Sequence, residues 1–196
     1  SADLTEPESP KNIINIIKKK YNKLDCIVNN AACQICKPIW KMVSKEWDLI
    51  YNCNVKSIFL FSKYGLDLLK ESKGNIINIG SVHSVTTSDE IAAYASSKAA
   101  IVGLTKNLAI ELGKFNIRVN CISPGAIDTP MLRSGLMRGH AGIGSEDELV
   151  QNLGNSHLLK RIGKPEEIAN FVFFVCNEEF INGANLLIDG GASIKL

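Results

Sequence analysis

The sequence predicts an α/β protein, a parallel sheet covered by helices on both faces. Three observations carry that expectation. Short apolar runs alternate with stretches of helical period along the chain. The apolar runs are nearly continuous rather than alternating, as in strands buried on both faces. Each run also ends in polar or Gly-rich residues, at the carboxyl ends where open α/β sheets gather their ligands.

The elements follow in order. "KNIINIIKKKY" (11–21) has helical spacing, and Pro10 suits a first turn. "LDCIVNN" (24–30) is a short apolar run that closes in turn residues, so a buried strand. Residues 44–70 read as helix, in one or two segments, with Ser44 and Glu46 near the start. "GNIINIGS" (74–81) is a second strand, and 90–113 a long helix ending near Gly113. "NIRVNCISPG" (116–125) is a third strand, stopped by Pro124. Residues 165–177 form a helix with Pro165 at its start, and Glu166 and Glu167 suit its positive end. "ANLLIDGG" (184–191) is the last strand. The segment 131–161 has no strong period and carries Gly135, Gly139, Gly142 and Gly144, so it reads as a mobile lid.

Composition narrows the function classes. The chain has 196 residues, 45% hydrophobic and 21% charged, the size and balance of one globular domain. A net charge of +2 is too small to argue for nucleic acid or an anionic membrane. The longest apolar run, "FVFFVC" (171–176), is far short of a membrane span. The polar, acidic start "SADLTEPESPKN" is no signal peptide, so the six cysteines are expected to be reduced thiols of a cytoplasmic protein. Cys33 and Cys36 form a C-x-x-C. Zinc would need two more ligands at suitable spacing, and a redox dithiol would want a helix N-terminus after a strand. The pair therefore reads as incidental thiols, and no metal site is expected.

The chemistry concentrates in "EIAAYASSKAAIVGLTKNLAIEL" (90–112). Tyr94 and Lys98 lie one helical turn apart on one face, amid alanines and serines that let something large approach. Taken alone, the stretch also fits a helix packed closely on another. The strand-end rule adds Ser81 in "GSVHS" (80–84). A phenol with pKa near 10 is a poor catalyst at neutral pH, and a nearby ammonium lowers that value. Proton transfer to a carbonyl oxygen needs such an acid. The hydride that accompanies the proton cannot come from a side chain, so a nicotinamide cofactor is implied. His83, two residues past Ser81, is either a substrate contact or a solvated loop histidine.

Seven pieces in order then resemble the short-chain dehydrogenase/reductase family: "DLT", "LDCIVNNAA", "NCNVKSIF", "NIINIGS", "YASSK", "RVNCISPGAIDT" and "IDGG". Y-x-x-x-K is weak by itself. Ser81 thirteen residues before the tyrosine, with N-N-A and P-G-x-I-x-T in the right order, is specific. The resemblance implies a Rossmann-type doubly wound sheet, three-layer α/β/α, in one domain spanning 1–196. It implies an oxidoreductase that uses NAD or NADP on a secondary alcohol or ketone, of small polyol, sugar or 3-oxoacyl type, in a homotetramer. On that resemblance Tyr94 is the general acid–base, and Lys98 lowers its pKa and bonds the nicotinamide ribose. Ser81 orients the substrate oxygen, and Asn54 holds a water that links Lys98 to solvent. Asn30 and Ala31 lie beside the cofactor ribose. Pro124, Gly125, Ile127 and Thr129 contact the nicotinamide end, and Asp3 and Leu4 flank the adenine. Asp189, Gly190 and Gly191 read as structural.

Two departures stand out. Ala32 occupies a position where the family has glycine. The family's opening strand and glycine-rich turn, T-G-x-x-x-G-x-G, has no counterpart in this sequence, which begins at "SADLT". That unit would hold the pyrophosphate at a helix N-terminus. Without it the sheet is expected to be truncated at its N-terminal side, with the 24–30 strand on an exposed apolar edge. The reading favoured is part of a longer active enzyme. The alternative is a cofactor-free, catalytically inactive chain that serves as an assembly or binding subunit.

Overall fold

The computed structural model describes residues 2–137 and 142–194. Gly139 and His140 lie outside the described residues, as does Ser1. Four parallel strands form one sheet in chain order: β1 (Cys26–Asn29), β2 (Asn75–Ile79), β3 (Arg118–Pro124) and β4 (Asn185–Ile188). The register runs Ile27 beside Ile76, Ile76 beside Val119, and Ile122 beside Leu186.

The connecting helices cover two faces. On one lie α3 (Ser57–Ser72) and α4 (Ala92–Gly113), with α1 (Glu8–Tyr21) packed on α3. There Ile27, Ile76 and Val119 of the strands meet Leu69, Leu108 and Leu112. On the other lies α7 (Pro165–Asn177), where Val175 meets Ile77, Ile79 and Ile122. Successive strand residues point to opposite faces, so Ile76 and Ile77 serve different layers. The expected three-layer α/β/α arrangement is therefore present. Burying one isoleucine fully is worth about 1.5–3 kcal/mol. Truncating the inaccessible Ile76 to alanine adds a cavity term and costs about 2–5 kcal/mol.

Several element ends match their local chemistry. Pro165 opens α7, and Glu167 accepts the Lys164 N–H at 2.8 Å. At the far end of α7, the Arg118 guanidinium donates to the carbonyls of Val175, Cys176 and Ile181 at 3.3, 2.8 and 3.1 Å. A cation from β3 thus satisfies orphan carbonyls at the negative end of that helix.

The 44–70 helix is interrupted as well as extended. It runs as α2 (Ser44–Tyr51), a π turn over Asn52–Lys56, and then α3. In the π turn the Ser57 N–H bonds the Asn52 carbonyl, five residues back. The 131–161 segment is more regular than its glycines indicated. It holds most of α5 (Pro130–Leu136) and all of α6 (Glu146–Ser156). The overlooked signal is a capping box: Ser145 Oγ accepts the Glu148 N–H, and Glu148 accepts the Ser145 N–H at 2.8 Å. Arg133 binds the two helices. It pairs with Asp128 at 2.6 Å, with Glu146 at 2.7 Å and with Asp147 at 3.2 Å.

As the sequence implied, β1 is an edge of the described sheet, and its Val28 is exposed. Among the described residues no helix is long and apolar enough to cross a membrane. No group of three or more His, Cys, Asp or Glu there is placed to hold a metal ion.

Candidate active site

Ser81 follows β2 directly, and its Oγ accepts the His83 N–H at 3.1 Å, which starts a short 3₁₀ turn. Gly80 before it has no room for a side chain. A Cβ there would meet Ser123 Oγ at 2.6 Å and Cys121 Sγ at 2.7 Å. The strand end is thereby pressed against β3, and Ser81 leaves the sheet at a fixed point. Tyr94 comes from the first turn of α4, a helix that packs on the 3₁₀ turn after Ser81. The His83 ring stands edge-on to the Tyr94 ring, with centroids 6.2 Å apart.

Lys98 is almost fully buried, 3% exposed, and its ammonium donates to the Ile79 carbonyl at 2.8 Å. The same ammonium lies 5.5 Å from the Tyr94 ring centroid. Burial in this cleft holds the Lys98 pKa down at about 8. Burial pushes the Tyr94 phenol up, and the nearby Ser81 hydroxyl only partly opposes it. That differs from the expectation that Lys98 lowers the phenol's pKa. In this arrangement the ammonium is committed to a backbone carbonyl rather than to the phenol oxygen.

Asn54 joins the cluster from the π turn. Its amide donates to Cys33 O and to Ser97 Oγ, each at 3.0 Å, and accepts the Cys33 N–H at 2.9 Å. Ser97 in turn donates to the Tyr94 carbonyl at 2.7 Å. Asn54 therefore fastens the loop after β1 to the turn of α4 that carries the tyrosine and lysine. No pattern in the sequence marks Ser97 for this part, since any small residue fits the approach of another element.

The other expected positions fall in two groups. Leu4, Asn30 and Ala31 line a cleft of about 290 Å³ at the β1 edge, together with Val28 and Phe61. Asp3 stands outside that lining, and its carboxylate accepts the Thr5 N–H and hydroxyl at 2.9 and 2.7 Å. Pro124 ends β3, and Gly125 follows where a Cβ would come 2.8 Å from Asp189. The Asp189-Gly190-Gly191 turn thus packs against Gly125. Asp189 accepts the Gly191 and Ser193 N–H groups, in keeping with a structural part. Ile127 bridges to Gly163, and Thr129 caps α5 by accepting the Leu132 N–H at 3.3 Å.

The chain matches known proteins over almost all of its length. The family model described as enoyl-(acyl carrier protein) reductase matches residues 1–193. A cyclopentanol dehydrogenase from Comamonas testosteroni is 33% identical over 192 residues, 96% of this chain and 74% of that protein. The ligand-free structure of aldohexose dehydrogenase from Thermoplasma acidophilum superposes with a TM-score of 0.94 at 32% identity. It covers 100% of this chain and 78% of that one. ElxO with NADP bound superposes with a TM-score of 0.86 at 29% identity, over 99% of this chain and 77% of that one. With a family model spanning the chain and a one-third identical dehydrogenase aligned along it, this protein belongs to the short-chain dehydrogenase/reductase family of oxidoreductases.

Proposed function

We propose that this chain transfers a hydride between a nicotinamide cofactor, NAD or NADP, and a secondary alcohol or ketone. The observation that carries the reading is the convergence of Ser81, Tyr94, Lys98 and Asn54 beyond the carboxyl end of β2. Tyr94 gives a proton to the substrate oxygen in reduction and takes it back in oxidation. Ser81, whose hydroxyl acts to lower the phenol's pKa, holds that oxygen beside it. Lys98 supplies positive charge below the phenol, and Asn54 keeps the loop and helix in register. A phenol raised by burial is protonated at neutral pH, the state that ketone reduction requires.

The cofactor, when bound, supplies or accepts the hydride. The cleft of Leu4, Asn30 and Ala31 fits its adenosine half, with an apolar wall for a ring and an amide for a ribose. Asp3 would stand beside it. Lys98 would hold the nicotinamide ribose, and Pro124, Gly125, Ile127 and Thr129 the nicotinamide end. No glycine-rich turn in this sequence receives the pyrophosphate. The NADP bound to ElxO supports the cofactor class. The cyclopentanol and aldohexose dehydrogenases support a small secondary alcohol or sugar, and the family model's acyl-carrier description keeps the 3-oxoacyl type open.

Residues 131–161 act as the substrate lid within a single domain, α5 and α6 moving as the Arg133 cluster opens. The protein works in the cytoplasm as a homotetramer, supported by apolar side chains left exposed on α3, α4 and α7.

The test is a panel of cyclic alcohols, polyols, sugars and 3-oxoacyl thioesters with each nicotinamide cofactor. It is run on a form of the protein that carries a glycine-rich nucleotide-binding unit ahead of residue 1. Turnover with one substrate class supports the reading. No turnover and no cofactor binding by that form would favour the alternative, a cofactor-free binding or assembly subunit.

A further inference from the structure

The first residue of β1 and the last turn of α7 bring two thiols together. Cys26 Sγ and Cys176 Sγ lie 3.3 Å apart, although the residues are 150 positions apart in the chain. A row of residues across the sheet holds them there. Cys26 pairs in register with Asn75 of β2, and Asn75 with Arg118 of β3. The Asn75 amide grips both cysteines. Its Oδ1 accepts the Cys26 thiol at 3.2 Å, and its Nδ2 donates to the Cys176 carbonyl at 3.4 Å. Arg118 donates to the same carbonyl at 2.8 Å. Neither cysteine is in a disulfide, and both are partly exposed, within reach of a small solute. The proposed hydride transfer uses neither thiol.

Joining the two sulfurs has a mechanical consequence. β1 is an edge of the described sheet, paired with β2 alone. An edge strand opens locally at little cost. Helix α7 packs on β2 and β3, the inner strands. A covalent bond from Cys26 to Cys176 therefore gives the edge strand a second attachment. It also closes a very long loop, which restricts the unfolded chain.

We propose that Cys26 and Cys176 are a reversible modification site, at which a low-molecular-weight disulfide forms a bond that staples the β1 edge to α7. Burial, and then the contact with Cys176, push the Cys26 thiol up to about 12, so Cys26 keeps its proton at neutral pH. The first attack falls to Cys176. Its deprotonated sulfur attacks one sulfur of the small disulfide, that S–S bond breaks, and the departing thiolate takes up a proton. The Cys26 sulfur then attacks the Cys176 sulfur of the mixed disulfide. The second S–S bond breaks, and the second thiolate leaves with the Cys26 proton. Two protein thiols lose two electrons and two protons, and one small disulfide becomes two small thiols. The sulfurs close from 3.3 Å to about 2.05 Å, a movement short enough for side-chain torsions to absorb.

The C-x-x-C of Cys33 and Cys36 is the internal comparison. Spacing along the chain favours that pair, and the sulfur contact favours Cys26–Cys176.

The reduced 196-residue protein is incubated with oxidised glutathione, alkylated, and mapped by mass spectrometry of its peptides. We expect Cys26–Cys176 as the main crosslink, reversed by dithiothreitol. Cys26→Ser should stop at a glutathione adduct on Cys176, and Cys176→Ser should leave Cys26 unmodified. Oxidation of the parent should raise its urea midpoint by about 1 M or more and slow amide exchange in β1. Oxidation of either variant should do neither. The parent, oxidised against reduced, carries the test by itself if a variant does not fold. A main crosslink at Cys33–Cys36, or adducts on Cys176 of the parent that never resolve, overturns the proposal. So does a Cys26–Cys176 bond that leaves the midpoint and the β1 exchange unchanged.

Discussion

Asn54 donates to Ser97 across 3.0 Å, and this contact joins the π turn after α2 to the turn of α4 that holds Tyr94 and Lys98. Both groups are buried, so neither finds water if its partner is removed. Asn54→Ala leaves the Cys33 N–H and C=O without their side-chain partner, and Ser97 keeps only its bond to the Tyr94 carbonyl. The expected cost is about 2–4 kcal/mol, since a buried unsatisfied group costs about 1–3 kcal/mol and partial relaxation recovers some of it. Urea unfolding measures it, and a change under about 0.5 kcal/mol would show that the contact carries little.

Tyr94→Phe keeps the ring and the neighbouring lysine but removes the hydroxyl. Turnover should fall about 10²–10⁴-fold, the worth of a positioned proton transfer, with cofactor affinity held within a few-fold. Steady-state rates and a binding titration on the same variant check both halves. Retention of more than about a tenth of the activity contradicts the role given to Tyr94.

Lys98 gives stability a pH dependence of known sign. Its pKa is about 8 in the folded chain against 10.5 for the free side chain. Below pH 8 both folded and unfolded chains hold the proton, and the burial cost is fully felt. Between 8 and 10.5 the folded chain has released it while the unfolded chain keeps it, so stability rises with pH across that window. Relative to Lys98→Met, the parent should gain roughly 3 kcal/mol over the window. Denaturant unfolding at a series of pH values, under reducing conditions, reads the difference. A flat or falling difference excludes a depressed lysine.

Arg133→Ala should loosen the lid before it loosens the domain. Its partners are partly exposed, so the loss in global stability should be at most about 1 kcal/mol. Amide exchange in α5 and α6 should accelerate well beyond that in α4 and β2. Equal acceleration everywhere would mean that the cluster supports the whole fold rather than the segment.

Self-association is the remaining expectation. Ile110 is 79% exposed on α4, and Phe173 and Phe180 are 73% and 98% exposed on and after α7. Two separate apolar faces suit a tetramer with two-fold axes. Light scattering at micromolar concentration should return the tetramer mass, and substituting Phe173 and Phe180 with Ser should return a smaller assembly. A monomer in the parent protein contradicts the reading.

Much of this was legible in the sequence because the signals were local. Pro165 with Glu166 and Glu167 placed α7 to the residue, and the apolar runs at 74–81 and 116–125 placed β2 and β3. The Ser81–Tyr94–Lys98 group followed from the strand-end rule and helical spacing. Helices α5 and α6 were missed because glycines outweighed the Ser145–Glu148 capping box and the Thr129–Pro130 start of α5. Other features had no local sign at all. Lys98 bonds a backbone carbonyl, which every residue possesses. The Cys26–Cys176 contact joins positions 150 residues apart. The Asn54 clamp on the Cys33 peptide joins positions 21 residues apart, which spacing along the chain does not announce.

The sheet order, β1-β2-β3-β4, repeats the order in which the strands are made. Among the described strands each pairs with the one before it in the chain, so none is inserted between two others. The last additions, α7 and β4, rest on a platform that Arg118 has already supplied with a cation for the helix end. Shortening the chain ahead of α7 uncovers Ile77, Ile79 and Ile122 on one face, whereas a break between β2 and β3 divides the sheet at its centre.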